Sequence, residues 1–225
     1  NTISGDTIKI IEDAFTAGAY ITTDENNNQI TCFNPGAMLY TSDFNFDSLH
    51  ANDSIGIIAP GNLEDMLIYS RIYKEKRIDY IFDPGQSIPS WEKEQLMEMM
   101  SGSKVFISNE YELELIIGKI GLDNREILEK TEAVITTKGE HGSTIITHDR
   151  TIHIMAVKPR RVIDPTGAGD AYRAGLIKGL SEHNDLVYSA QLGAVSASFS
   201  VEEAGTQAYH FTMDEFTERF RETFS

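Results

Sequence analysis

VIDPTGAGDAYRAG, Val162 to Gly175, compresses an apolar run, a proline, a small-residue turn and an acid into fourteen positions. The apolar run ends at Asp164 and Pro165. The chain then turns through Thr166, Gly167, Ala168 and Gly169, and a helical pattern starts near Asp170 with small residues at Ala171, Ala174 and Gly175. Small residues let backbone approach a ligand closely, and the unpaired amides of a helix start attract anions. A carboxylate beside such a turn can take a proton from a hydroxyl while the turn stabilises a phosphoryl group under attack. The plainer alternative is an acid that simply suits the positive end of a helix dipole. The turn is not a Walker A loop, because no Gly-Lys-Ser/Thr follows. It is also a poor dinucleotide fingerprint, with Ala171 and Tyr172 where a third glycine would stand.

Upstream of this stretch, strands and helices alternate. Short apolar strands are expected at 54–60, 78–85, 104–109 and 133–139, and helices at 63–77, Trp91 to Met100, after Asn109 and near 124–130. STIITHD and TIHIMAV read as an antiparallel pair, and helices are expected from Asp170, across 185–205 and along TMDEFTERFRETF. Such alternation implies an α/β fold: a mostly parallel, doubly wound sheet with helices on both faces. Ligands in such sheets sit beyond the carboxyl ends of the strands. The first third differs: Phe15 to Thr22 and Gln29 to Phe33 read as a β-hairpin around a polar turn.

The composition narrows the function classes. The chain has 225 residues, 40% hydrophobic and 24% charged, enough for a sizeable core. Its net charge of −16 argues against a surface that embraces nucleic acid or anionic lipid. The single cysteine, Cys32, excludes an intrachain disulfide and suits a reducing compartment. No apolar run approaches the ~20 residues of a membrane span. A soluble, cytoplasmic protein with no membrane or nucleic-acid partner is expected. The six histidines show no metal-ligand spacing, so no zinc site is assigned.

DPTGAGDAYRAG closely resembles the C-terminal signature of the ribokinase-like (PfkB) carbohydrate and nucleoside kinases, above all their bacterial adenosine kinase-like branch. The resemblance implies that Asp170 is the general base, with Gly167, Ala168 and Gly169 as the anion hole. It extends to other stretches in the family's order. SNEYE carries Asn109 and Glu112, which in the family organise Mg²⁺ through water, together with the phosphates. TKGEHG matches the nucleotide-phosphate turn with Thr137, Gly139 and Gly142, and AVSASFSVEEAGTQ resembles the adenine-pocket helix through Ala194 and Ser198. Alone, each has a structural reading: an N-cap, a hairpin glycine, close helix packing. Asp164 matches a position that helps bind a monovalent cation such as K⁺. Asp83 is a weaker candidate for acceptor or metal contact, Arg173 and Lys138 for phosphate, and Arg160 and Arg161 for local charge balance.

On this resemblance the chain divides into a tail of a truncated N-terminal region (1–13), a β-hairpin lid segment (14–41) and an α/β nucleotide-binding kinase core (42–225). The family's Gly-Gly-x-x-x-Asn motif, which holds sugar hydroxyls, would precede the chain, and no Gly-Gly pair occurs in it. The expected activity is ATP- and Mg²⁺-dependent phosphorylation of a primary hydroxyl on a small-molecule nucleoside or sugar, adenosine favoured, with a homodimer through the lid. A ribose- or fructose-type carbohydrate kinase is the first alternative and a catalytically silent ATP-binding fragment the second. A nicotinamide oxidoreductase is the weakest, lacking its glycine fingerprint.

Overall fold

The computed structural model describes residues 7–23, 29–183 and 185–225. Two strands, β1 (Gly18–Thr23) and β2 (Gln29–Asn34), pair antiparallel in a small sheet of their own, with Tyr20 opposite Cys32. The polar turn expected between them lies outside the described residues. The foot of the hairpin is tied down by hydrogen bonds from Ala37 N to Phe15 O (2.7 Å) and from Asn62 Nδ2 to Met38 O (3.0 Å).

The central sheet has six strands: β3 (Ile55–Ile58), β4 (Asp79–Phe82), β5 (Ser103–Asn109), β6 (Thr131–Thr137), β7 (Ser143–Ile146) and β8 (Thr151–Ile154). They lie in chain order, parallel from β3 to β6 and antiparallel through β7 and β8. Helices α1 (Leu63–Lys76), α2 (Lys93–Met100), α3 (Glu110–Ile120) and α4 (Asn124–Leu128) connect the parallel strands. Helices α5 (Ala168–His183), α6 (Leu186–Ser200) and α7 (Met213–Phe224) follow β8. Among the described residues no helix is long and apolar enough to cross a membrane.

Successive strand side chains point to opposite faces, so one run builds two cores. In β4, Tyr80 and Phe82 pack with Met66, Leu96, Met99 and Ile116 of α1 to α3. Ile81 between them faces Leu176, Leu180, Val195 and Phe199 of α5 and α6. The doubly wound arrangement expected from the alternation is therefore present.

Two helix boundaries depart from expectation. Trp91 closes a 3₁₀ turn (Gly85–Ser90) in an extended conformation, and α2 starts only at Lys93, because Trp91 Nε1 is drawn back to Ser87 Oγ (3.0 Å). The last helix-like run expected to reach residue 205 stops at Ser200. There the Val201 carbonyl accepts from Ile163 N (2.8 Å), and Gly205 adopts φ +92°.

Candidate active site

The parallel strands deliver their ends to one edge of the sheet. Asn109, the last residue of β5, lies in register with Thr137, the last of β6. From Thr137 the chain makes a tight turn closed by Lys138 N donating to Gly142 O (2.8 Å). Gly142 has φ +82°, and a Cβ there would stand 2.1 Å from Ile154 O, so only glycine permits this return into β7.

Opposite this turn is the start of α5. Gly167, at φ +85°, packs against Thr206 and swings the chain into the helix. Ala168 N is taken by Pro165 O (3.2 Å) and Ala171 N by Gly167 O (3.0 Å). The Gly169 and Asp170 amides have no backbone acceptor among the described residues. Two N–H groups at a helix start thus stand free for an anion. Asp164 staples the turn: its Oδ1 accepts from Thr166 N (2.9 Å) and its Oδ2 from Gly205 N (3.0 Å). These hydrogen bonds hold its carboxyl below the usual range.

Between the two turns lies a cavity of about 670 Å³ with a mainly apolar wall. It joins Thr137, Gly139, Gly142, Ala168, Gly169, Ala194 and Ser198, all expected from the sequence. Helices α5 and α6 cross closely enough for this, because Gly175, Gly179 and Gly193 leave no room for a side chain. A Cβ on Gly139 would meet nothing within 4 Å, and one on Gly169 only Arg173 Nη1 at 3.9 Å. Both backbones therefore remain approachable by a ligand.

Asn109 and Glu112 form a reciprocal capping box at the start of α3: Asn109 N donates to Glu112 Oε2 (2.9 Å) and Glu112 N to Asn109 Oδ1 (2.8 Å). One carboxylate oxygen of Glu112 stays outside it. Lys138 pairs with Glu110 at 3.4 Å rather than standing free. Arg161 lines the cavity and also pairs with Glu203 at 2.5 Å, and the Arg160 amide donates to Glu202 Oε1 at 2.6 Å. Among the described residues no group of three or more His, Cys, Asp or Glu side chains could hold a metal.

Asp170 is in the first turn of α5 with its side chain 72% exposed, and Arg173, one turn on, pairs with it through Nη2. The other guanidinium nitrogen pairs with Asp83 at the end of β4, whose side chain is only 4% exposed. Burial pushes the Asp83 carboxyl up to about 6; Arg173 opposes the shift and Glu112 adds to it. Asp83 Oδ1 has no hydrogen-bond partner at normal geometry, the Gly85 amide contributing only a weaker attraction. Burial acts against the charge on Arg173, but Asp83 and Asp170 outweigh it and raise its pKa.

The fold and these two turns meet a clear counterpart among known proteins. The profile of the pfkB family of carbohydrate kinases matches residues 1–211. The chain belongs to that family. Its members are phosphotransferases acting on a hydroxyl group. The chain is 37% identical over 209 residues to a nucleoside kinase of Methanocaldococcus jannaschii, covering 92% of this chain and 68% of that one. A solved nucleoside kinase of Burkholderia thailandensis in complex with inosine superposes with a TM-score of 0.89 at 35% identity, covering 99% of this chain and 72% of that one. The same enzyme with ADP and inosine gives 0.88 at 34%, covering 99% and 69%.

Sequence reasoning treated Asp83 and Arg173 as separate minor candidates and missed that they form one buried pair. The aspartate directly after the apolar run of β4 was the available signal, since a carboxylate there needs a partner. It also missed the cavity wall from Ala156 to Pro159, which no motif marks.

Proposed function

We propose that the protein is an ATP-dependent nucleoside kinase that phosphorylates a primary hydroxyl. The observation that carries the reading is the free amide pair of Gly169 and Asp170 beside the exposed Asp170 carboxylate, with Gly169 lining the 670 Å³ cavity. ATP would lie in that cavity, its base along Ala194 and Ser198 and its phosphates toward Gly139, Gly142 and the start of α5. Asp170 takes the proton of the acceptor hydroxyl. The acceptor oxygen bonds to the terminal phosphorus as the bond to ADP breaks, and the electron pair leaves on ADP. The free amides hold the transferring group.

Asn109 and Glu112 would hold Mg²⁺ through water, the outlying Glu112 oxygen suiting a hard cation that keeps most of its waters. Mg²⁺ supplies charge neutralisation on the phosphates. Both Asp164 oxygens already accept backbone hydrogen bonds, which supports a stapling role rather than K⁺ ligation. The separate β1–β2 sheet exposes Tyr20, Ile30 and Phe33, which supports a lid over the acceptor within residues 14–41, and pairing of two copies through it.

The nucleoside acceptor rests on the nucleoside kinase relatives and on inosine in the solved neighbour. Adenosine is the favoured member of that class. The test measures ADP release with MgATP against adenosine, inosine, cytidine, ribose and fructose, with Asp170→Asn alongside. Turnover with a nucleoside, lost in the variant, supports the assignment. Preference for a free sugar overturns the acceptor, and retained turnover in Asp170→Asn overturns the base.

A further inference from the structure

Arg173 occupies a position that the anion hole and the base do not account for. Its guanidinium stands within 4 Å of the point where a Cβ of Gly169 would be, and Gly169 carries one of the two free amides. The guanidinium is forked between the exposed carboxylate of Asp170 and the buried carboxylate of Asp83. A buried carboxylate holding an arginine fixes a long side chain whose rotamers would otherwise scatter. Asp83 lies 90 residues earlier in the chain, so the fold aims this cation from two independent elements.

We propose that Arg173 is a further catalytic residue, whose guanidinium supplies side-chain positive charge to the transferring phosphoryl group, and that Asp83 is its positioning residue. This rests on the kinase reading above. The charge balance favours the transition state. Before transfer, the guanidinium is shared between two carboxylates. As the acceptor proton passes to Asp170, that carboxylate becomes neutral and its hold on Arg173 weakens. The positive charge then turns to the phosphoryl oxygens as the acceptor O–P bond forms and the bond to ADP breaks. An interaction that strengthens only during the step raises kcat rather than ground-state binding.

The experiment compares wild type with Arg173→Met, Arg173→Lys, Asp83→Asn and the Asp83→Asn/Arg173→Met double variant, each checked for folding by circular dichroism. Turnover is read with separate KM values for ATP and acceptor. Affinities for AMP-PNP and for ADP with aluminium fluoride, a mimic of the transferring phosphoryl, are measured by calorimetry. For Arg173→Met the expected result is a fall in kcat of about 100-fold with the acceptor KM changed less than threefold, the size seen when one transition-state donor is removed. Arg173→Lys, which keeps a cation for Asp83, regains part of the loss and carries the test should the Met variant not fold.

Asp83→Asn lowers kcat roughly tenfold in the wild-type background but has little effect once Arg173 is Met, because coupled residues do not add. An equal Asp83→Asn effect in both backgrounds overturns the positioning role. A kcat within threefold of wild type in folded Arg173→Met, or in Arg173→Lys where the Met variant does not fold, overturns the catalytic one. If the wild type itself gives no turnover, the kinase reading fails on its own. The ratio of affinities for ADP with aluminium fluoride and for AMP-PNP then still decides: at least a fivefold drop in Arg173→Met supports the contact with the transferring phosphoryl, and an unchanged ratio overturns it.

Discussion

Arg219 of α7 and Glu202, just beyond α6, form a buried fork, with Nη1 2.8 Å from Oε1 and Nη2 3.2 Å from Oε2. The same guanidinium donates to Ser198 Oγ (3.0 Å) and lies 3.6 Å from the centre of the Phe199 ring. Glu202 also accepts from the Arg160 amide. The C-terminal helix is thereby tied to both walls of the cavity, through Ser198 on α6 and through the 156–162 segment.

Replacing Arg219 by Met leaves Glu202 buried without its counter-charge. Breaking one side of such a pair costs about 3–5 kcal/mol, whereas replacing both sides with uncharged groups costs much less. Urea unfolding of Arg219→Met should show a loss of that size, and Arg219→Met/Glu202→Gln should recover part of it. The ATP KM should rise in the single variant more than the acceptor KM, because Ser198 is its direct contact. Equal changes in both KM values would show that the loosening is general rather than confined to the nucleotide wall.

Three glycines separate packing from ligand access. A Cβ on Gly175 would lie 2.5 Å from Leu192 O and 2.7 Å from Gly193 N, both backbone atoms that cannot step aside. Gly175→Ala should cost roughly 1–3 kcal/mol by forcing α5 from α6. Gly139 has φ +56° and open space around it, so Gly139→Ala costs only about 1–2 kcal/mol of backbone strain. Gly139 lines the cavity, so the added methyl should raise the ATP KM severalfold. Gly118, inside α3 with nothing within 4 Å and no positive φ, is the control: Gly118→Ala should stabilise by up to ~1 kcal/mol. Thermal denaturation and ATP titration of the three variants check this ordering.

The site was legible where it is local in the chain. The Gly167–Gly169 turn, the Thr137–Gly142 return and the Asn109–Glu112 cap each complete their geometry within six residues, so a family resemblance in short motifs can mark them. The two-faced sheet was legible from the regular alternation of short apolar strands with amphipathic helices. What spacing cannot show is a pair made by tertiary closure. Asp83 and Arg173 meet only because the end of β4 lies under the start of α5. The end of α6 is likewise set from outside, by Ile163 reaching the Val201 carbonyl, and no helix propensity in SVEEAG announces it.

The Asp83 carboxyl gives the protein a pH signature with a definite sign. Its charged neighbours are Arg173 from α5, which favours the charged form, and Glu112 from α3, which disfavours it; burial, reinforced by Glu112, outweighs Arg173 and places the group at about 6. In the unfolded chain an aspartate titrates near 3.8. Between about pH 4 and pH 6 the folded state therefore holds a proton that the unfolded state has released. Stability contributed by this group must then fall as pH rises across that window and level off above it. At 1.36 kcal/mol per unit the full change is on the order of 3 kcal/mol. Asp83→Asn cannot titrate, so the difference between wild-type and variant unfolding free energies should decline from pH 4 to pH 6 and stay flat to pH 7.5. Were Arg173 to dominate instead, the carboxyl would be held below its unfolded value and the difference would grow with pH. Urea unfolding of the two proteins at half-unit pH steps distinguishes the two slopes directly.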